Sequence, residues 1–397
     1  MTDPRDLLDA ETLRARGSLK WTAAPTELAA WVAESDLGTA PAVTAALHDA
    51  VTGGLLGYLP PRVRAEMAGA CAGWLADTCG WRVPAERVMP VGHVTEALQI
   101  TVARYSRPGS PVVLPTPAYM PFVTAPRAWG RDVVQVPMVA DAGRQVLDLD
   151  ALDAAFRAGA GLLALVNPHN PTGRVLGRDE LLAVADVVER HGARVFADEI
   201  HAPLVLTGRH VPYASVSAAA AAHTVTAVSA SKAWNIPGLK CAQVILSNDA
   251  DADAWAPDDV LLTEGASTLG ALANAAAYTA GREWLTDLLA YLSGTRDAVA
   301  AALAGSAVGH RPPEGTYLAW LDLRAALDAH ADDADAPPPW RTAAQGALGG
   351  WLARRTGVFG TDGALCGEAG RGFVRLNLAM PRPMAVEAAR RIADRLA

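Results

Sequence analysis

Between residues 111 and 247 the chain alternates short, unbroken apolar runs with longer stretches whose apolar residues recur every three or four positions. The short runs are 111-PVVLPT-116, 132-DVVQVPM-138, 161-GLLALVN-167, 193-ARVFADEI-200, 224-TVTAVSAS-231 and 241-CAQVILS-247. Their length and β-branched content predict strands. Because most lack a polar alternate face, these strands should be buried on both sides, as in a parallel sheet. Two helical stretches lie between them, 148-DLDALDAAFRAG-159 and 178-RDELLAVADVVERHG-192. The second begins with Asp179 and Glu180 and ends in Arg190-His191-Gly192, the acidic start and glycine stop of a helix. Strand and helix in alternation imply an α/β unit with helices on both faces of a mostly parallel sheet.

After about residue 265 the pattern changes. An Ala/Leu-rich helical region runs to roughly 305, followed by shorter elements around 316-TYLAWLDLR-324 and 372-GFVRLNLAM-380. The acidic and then proline-rich stretch 328-DAHADDADAPPPW-340 reads as a surface loop or insertion. The expected organisation is an N-terminal segment, 1–45, packing near a domain junction, a large domain at 46–285 and a smaller α+β domain at 286–397.

Composition narrows the class of protein. The 397 residues are 51% hydrophobic and 19% charged, a folded globular profile with room for two cores. A net charge of −8 with no arginine-rich stretch argues against a nucleic-acid surface. Cys71, Cys79, Cys241 and Cys366 have no C-x-x-C spacing, so reduced thiols and no metal site are expected. No apolar stretch reaches the length of a membrane span, and the polar start lacks a signal peptide. These features suggest a cytoplasmic protein without a membrane or nucleic-acid partner.

Ligands of open parallel sheets bind at the carboxyl edge. Three predicted strands end there in polar residues: 167-NPHNPTG-173, 198-DEIH-201 and 229-SASK-232. Lys232 stands out because the chain contains only three lysines, with Lys20 and Lys240, among 34 basic residues. Arginine substitutes for lysine where only charge is needed, but it cannot form a Schiff base.

These motifs, with S-x-S-K-x-W-N-x-P-G-L-K at 229–240, 314-EGTYLAWLDLR-324 and 373-FVRLNLAMPR-382, resemble those of fold-type I pyridoxal-phosphate (PLP) enzymes. The likeness is to the class I/II aminotransferase group and covers roughly residues 30–390. It implies an aspartate-aminotransferase-like fold, PLP as cofactor and a homodimer with shared active sites. By this resemblance Lys232 would carry PLP as a Schiff base and then act as base at the substrate Cα. Asp198 would pair with the pyridine nitrogen. Asn170 would donate to the ring's phenolic oxygen, with His201 where many relatives have tyrosine. Tyr119 would lie against the ring. The glycine turn at Gly92, the backbone of His93 and Val94 and the Thr95 hydroxyl would hold the phosphate, together with Ser229, Ser231 and Lys240. Tyr58 would reach the phosphate or substrate of the neighbouring subunit, and Arg375 would bind the substrate carboxylate in a bidentate pair.

Within the group, D-E-I-H, the S-K-A-W-N-I-P segment and 30-AWVAESDL-37 are similar to cystathionine β-lyase-like C–S lyases of the MalY/PatB type. The last is similar to their W-V-A-D-M-D-F signature, which would put Ala33, Glu34 and Leu37 against the substrate. The implied reaction is β-elimination from an S-substituted cysteine to a thiol, pyruvate and ammonia, with Tyr58 or Tyr119 assisting the leaving sulfur as acid. Leu37 and Cys366 replace aromatic residues of the family, suggesting a pocket reshaped for a bulky S-conjugate. Three alternatives remain on the sequence. One is oxygen-dependent decarboxylation with oxidative deamination of an S-conjugated cysteine, as in specialised metabolism. The others are transamination and a PLP-sensing regulatory module.

Overall fold

The computed structural model describes residues 3–24, 28–141, 143–333 and 336–397. Its centre is a seven-stranded sheet: β1 (Val88–Val91), β2 (Val112–Thr116), β3 (Val133–Pro137), β4 (Leu162–Val166), β5 (Arg194–Asp198), β6 (Thr224–Val228) and β7 (Ala242–Leu246). Spatial order is β1-β7-β6-β5-β4-β2-β3, with only β7 antiparallel to its neighbours. The six strands expected from the apolar runs all form. Strand β1 carries Pro90 and was not legible as a strand; it lies at the sheet edge, where a residue without an N–H is tolerated.

Every residue of β2, β4, β6 and β7 is buried, which explains their unbroken apolar sequence. Helices Val94–Arg104 and Met120–Ala128 cover one face around Leu98, Phe122, Phe196 and Val244. Helices Leu149–Arg157 and Arg178–Arg190 cover the other, packing Phe156, Leu181 and Val184 on Leu163 and Val195. The Ala/Leu-rich region divides into helices Thr268–Tyr278 and Arg282–Leu303. The expected boundary at 285/286 lies inside the second of these.

The C-terminal third builds an antiparallel sheet of Gly309–His310, β8 (Leu318–Asp322), β9 (Phe373–Asn377) and Thr361–Asp362, in that spatial order. Helices Ala347–Thr356 and Arg382–Arg395 pack with it around Trp351, Leu376 and Ile392. Near the N-terminus, Leu28–Ala29 pairs in parallel with Val358–Phe359. The stretch 328–340 contains the end of helix Arg324–Ala329 and then turns, with residues 334–335 outside the described residues. Segment 31–37, neither helix nor strand, runs between the Lys232 loop of the large sheet and Asn377 of the small one.

Candidate functional site

Neighbouring parallel strands present their carboxyl ends at one edge. Val166 is in register with Asp198, and Asp198 with Ala227, so the residues just beyond β4, β5 and β6 converge. A cavity of about 320 Å³ opens there, lined among others by Lys232, Asp198, Asn170, His201 and Tyr119. Its far wall includes Ala33 from the 31–37 segment.

Lys232 Nζ donates to the Ala33 carbonyl at 3.0 Å. Burial lowers the amine pKa to about 8; nearby Arg375 pushes the same way, while Asp198 and Glu34 oppose. The amine therefore exchanges protons near neutrality. Asp198 is held by one hydrogen bond among the described residues, from Ile200 N–H at 3.1 Å. Burial raises its carboxyl to about 7, against the pull of that N–H and of Lys232. A buried carboxylate this poorly compensated fits a cationic partner such as a protonated ring nitrogen. Among the described residues His201 Nδ1 has no partner, and burial lowers the imidazole to about 3, so it is neutral and retains a donor.

Arg375 is 2% exposed and among the described residues meets only neutral acceptors: Asn170 Oδ1 at 2.9 Å, the Trp31 carbonyl at 3.0 Å and Thr361 Oγ1 at 3.3 Å. A buried guanidinium without a carboxylate suits an anionic ligand. Because arginine has no acceptor, its contact fixes the Asn170 amide with oxygen toward Arg375 and leaves the NH2 group for the cavity. Tyr119 caps helix Met120–Ala128 and lines the same space, its hydroxyl pKa raised by burial.

The phosphate candidates divide. The helix Val94–Arg104 starts with an orderly cap: His93 Nδ1 accepts from Glu96 N–H at 3.0 Å. The Gly92 N–H is taken by Glu96 Oε2 at 2.7 Å, so it is not free for a ligand. Gly92 is instead required by space, since a Cβ would stand 2.8 Å from the Gly265 carbonyl. Among the described residues the N–H groups of His93, Val94 and Thr95 have no protein acceptor, and all three residues line the cavity. That arrangement can hold an anion. Ser229 donates its hydroxyl proton to the Cys241 carbonyl at 2.8 Å and accepts from Ser231 N–H, so it braces the loop. Ser231 and Lys240 line the cavity with no such commitment. The donor set at one end, the unpaired carboxylate at the other and the lysine between them fit PLP in size and charge.

Three expected residues stand elsewhere. Tyr58 is 98% exposed and lines a separate surface basin of about 1240 Å³ that also touches Lys240. Leu37 is buried in the hydrophobic core with Val43, Met67 and Leu204, not on the cavity wall. Cys366 is fully buried against Trp320 and Phe373, its thiol raised to about 11 by burial. Glu34 contributes its backbone: its carbonyl accepts from Asn377 Nδ2 at 2.7 Å.

Two residues that sequence reasoning passed over hold the segment that closes the site. Tyr317 donates its hydroxyl to the Ala33 carbonyl at 3.1 Å and packs edge-on against His201. Asn235 grips the 31–37 segment with both ends of its amide. Both lie inside motifs noted in the sequence, E-G-T-Y and S-K-A-W-N, which were the available signal.

The model of the family "Aminotransferase class I and II" matches residues 32–392. The chain is 38% identical over 316 residues to a cystathionine β-lyase of Corynebacterium glutamicum, covering 79% of this chain and 84% of that protein. It is 32% identical to the protein MalY of Escherichia coli, covering 88% and 87% respectively. A putative PLP-dependent β-cystathionase from Corynebacterium diphtheriae superimposes with a TM-score of 0.86 at 36% identity, over 98% of both chains.

Proposed function

The chain belongs to the class I and II aminotransferase family, and from that premise we propose that it is a PLP-dependent C–S β-lyase acting on an S-substituted cysteine. The observation that carries this reading is one cavity lined by the Lys232 amine and the under-compensated Asp198 carboxylate, with the Arg375 guanidinium bonded to its lining residue Asn170. Relatives named as cystathionine β-lyases support the choice of reaction over transamination.

PLP, when bound, supplies an electron sink for negative charge at the substrate Cα. The chain's residues do the rest. Arg375, whose Nε–H has no acceptor among the described residues, is the cation offered to the substrate carboxylate. Asp198 would hold the group's ring nitrogen in its protonated form, and His201 and the Asn170 NH2 would be the donors available to its ring oxygen. Lys232, neutral near pH 8, takes the Cα proton. The bond from Cβ to sulfur then breaks with its electron pair leaving on sulfur, and Tyr119, kept protonated by burial, is positioned as a proton donor for the thiolate. Water completes the balance, so that one S-substituted cysteine and one water give a thiol, pyruvate and ammonium.

We also propose a homodimer in which Tyr58 serves the partner's site. Its support is the exposure of Tyr58, Leu56, Val260 and Leu261 around the basin next to Lys240. A cytoplasmic location accords with four free cysteines, and among the described residues no helix is long and apolar enough to cross a membrane.

Purified protein incubated with PLP and several S-substituted cysteines should release thiol and pyruvate in equal amounts without a keto-acid co-substrate. Carbon dioxide with oxygen consumption, or turnover only when a keto acid is added, would overturn the lyase assignment.

A further inference from the structure

Segment 31–37 is neither helix nor strand along most of its length, yet six consecutive carbonyls, Trp31 to Asp36, each accept from a side chain of another element. Trp31 O takes Arg375 and Thr361, and Val32 O takes Asn377. Ala33 O takes both Lys232 and Tyr317. Glu34 O takes Asn377 and Lys20, Ser35 O takes Asn235, and Asp36 O takes Arg16. The segment is thus a strap read by donors from the Lys232 loop, the small sheet and the N-terminal helices.

One end of this strap is anchored by a buried ion pair outside the cavity. Lys20, fully buried, places Nζ 2.7 Å from Asp36 Oδ2 and 3.4 Å from the Glu34 carbonyl. Trp21 Nε1 holds the other carboxylate oxygen at 2.8 Å, and the Lys20 carbonyl accepts from Trp31 Nε1 at 3.0 Å. A charge pair in such a place costs desolvation of both ions and is a poor source of stability compared with apolar packing. What it does supply is a fixed distance between the N-terminal helix and the strap.

We propose that the Lys20–Asp36 pair is a positioning device for Lys232, fixing the strap so that the Ala33 carbonyl holds the lysine amine in place. With one N–H engaged by Ala33, the direction of the remaining amine valences is set, and the charged form gains a hydrogen bond. Removing the device therefore weakens a contact that favours the ammonium and lowers the Lys232 pKa. The other charged or titratable groups facing Lys232 are Asp198, His201, Arg375, Tyr119, Tyr317, Glu34, His93 and Lys240, and none is altered in the test. The proposal rests on Lys232 being the reactive lysine, but its test needs no substrate.

The chain's three lysines make the measurement direct. Full-length apoprotein, prepared from holoenzyme by reversible removal of PLP, is labelled with 13C at lysine Cε and titrated by NMR, the Lys232 signal being assigned by its loss in Lys232→Met. In Lys20→Met/Asp36→Asn, which removes both charges together, the Lys232 midpoint should fall by about half a pH unit or more. In Trp21→Phe, which removes one hydrogen bond to Asp36, it should fall less but in the same direction. If the double variant does not fold, Trp21→Phe alone decides. A lowered melting temperature with the Lys232 midpoint unchanged would make the pair a structural brace only and overturn the proposal, whether or not the lyase reading stands.

Discussion

The Asn170 amide oxygen accepts a hydrogen bond from Arg375 Nη1 at 2.9 Å, joining the turn after β4 of the large sheet to β9 of the small one. Among the described residues Arg375 is paired only with neutral acceptors. Asn170→Asp would give it a carboxylate partner of nearly the same shape, in competition with the substrate carboxylate. Charge-assisted pairs in buried sites are worth well over 1 kcal/mol, so the KM for S-substituted cysteines should rise by roughly tenfold or more. Steady-state kinetics against Asn170→Ala, which removes the oxygen without adding charge, separates this from loss of the amide donor. The prediction fails if the two variants raise KM equally.

Asp198 illustrates a site group that destabilises the fold it serves. Its carboxyl is raised to about 7 by burial, above its ordinary value of 3.8. The folded apoprotein thus binds this proton more tightly than the unfolded chain does. Its contribution is intact below about pH 4 and is lost as pH rises through the folded pKa near 7. Asp198→Asn removes that loss. The variant apoprotein should match wild type near pH 4 and exceed it at pH 8 by on the order of 4 kcal/mol. Urea unfolding at the two pH values checks this, and PLP affinity should fall in the same variant. A stability difference independent of pH would contradict the assignment.

Leu37 is a case where resemblance pointed to the pocket and packing decided otherwise. It is 8% exposed and sits among Val43, Met67 and Leu204. Leu37→Phe adds volume to a filled core, for which about 1–3 kcal/mol of destabilisation is typical. The ratio of kcat/KM for bulky and compact cysteine conjugates should stay as in wild type, because the side chain does not face the cavity. A change in that ratio, with the melting temperature unaltered, would return Leu37 to the substrate wall.

What was legible in the sequence follows the physics of each element. Strands β2 and β4 to β7 are buried on both faces, so hydrophobicity alone marks them. Their polar termini, Asn167 to Asn170, Asp198 and Lys232, were readable because parallel neighbours end at one edge. The 31–37 strap was recognisable only by the likeness of 30-AWVAESDL-37 to a family signature, and its bonding was not. Its donors, Lys20 to Asn377, are set by tertiary contacts spanning up to 345 residues, and no local period records them. Nor could spacing show that Ser229 braces Cys241 or that Glu96 occupies the Gly92 N–H. Such internal pairings depend on side-chain direction at a turn.

Lys232 and Lys240 frame the last prediction. Both line the cavity, and burial lowers the Lys232 amine to about 8. Its neutral fraction grows with pH, being roughly a tenth at pH 7, and only the neutral form attacks an aldehyde carbon. The rate at which apoprotein acquires the visible absorbance of bound PLP should therefore rise about tenfold per pH unit below 8 and level off above it. The Lys20-side anchor and the Arg375 charge act on this same midpoint from opposite sides: the Ala33 contact favours the ammonium and Arg375 disfavours it. Lys232→Arg should abolish both the absorbance and turnover, because a guanidinium stays protonated. Lys240 is exposed, with a backbone φ of 51° that arginine adopts as readily as lysine, and its expected service to the phosphate needs only charge. Lys240→Arg should keep activity within about threefold and PLP affinity within about tenfold, since a cation remains. Equal losses in the two variants would show that the reactive amine has been assigned to the wrong lysine.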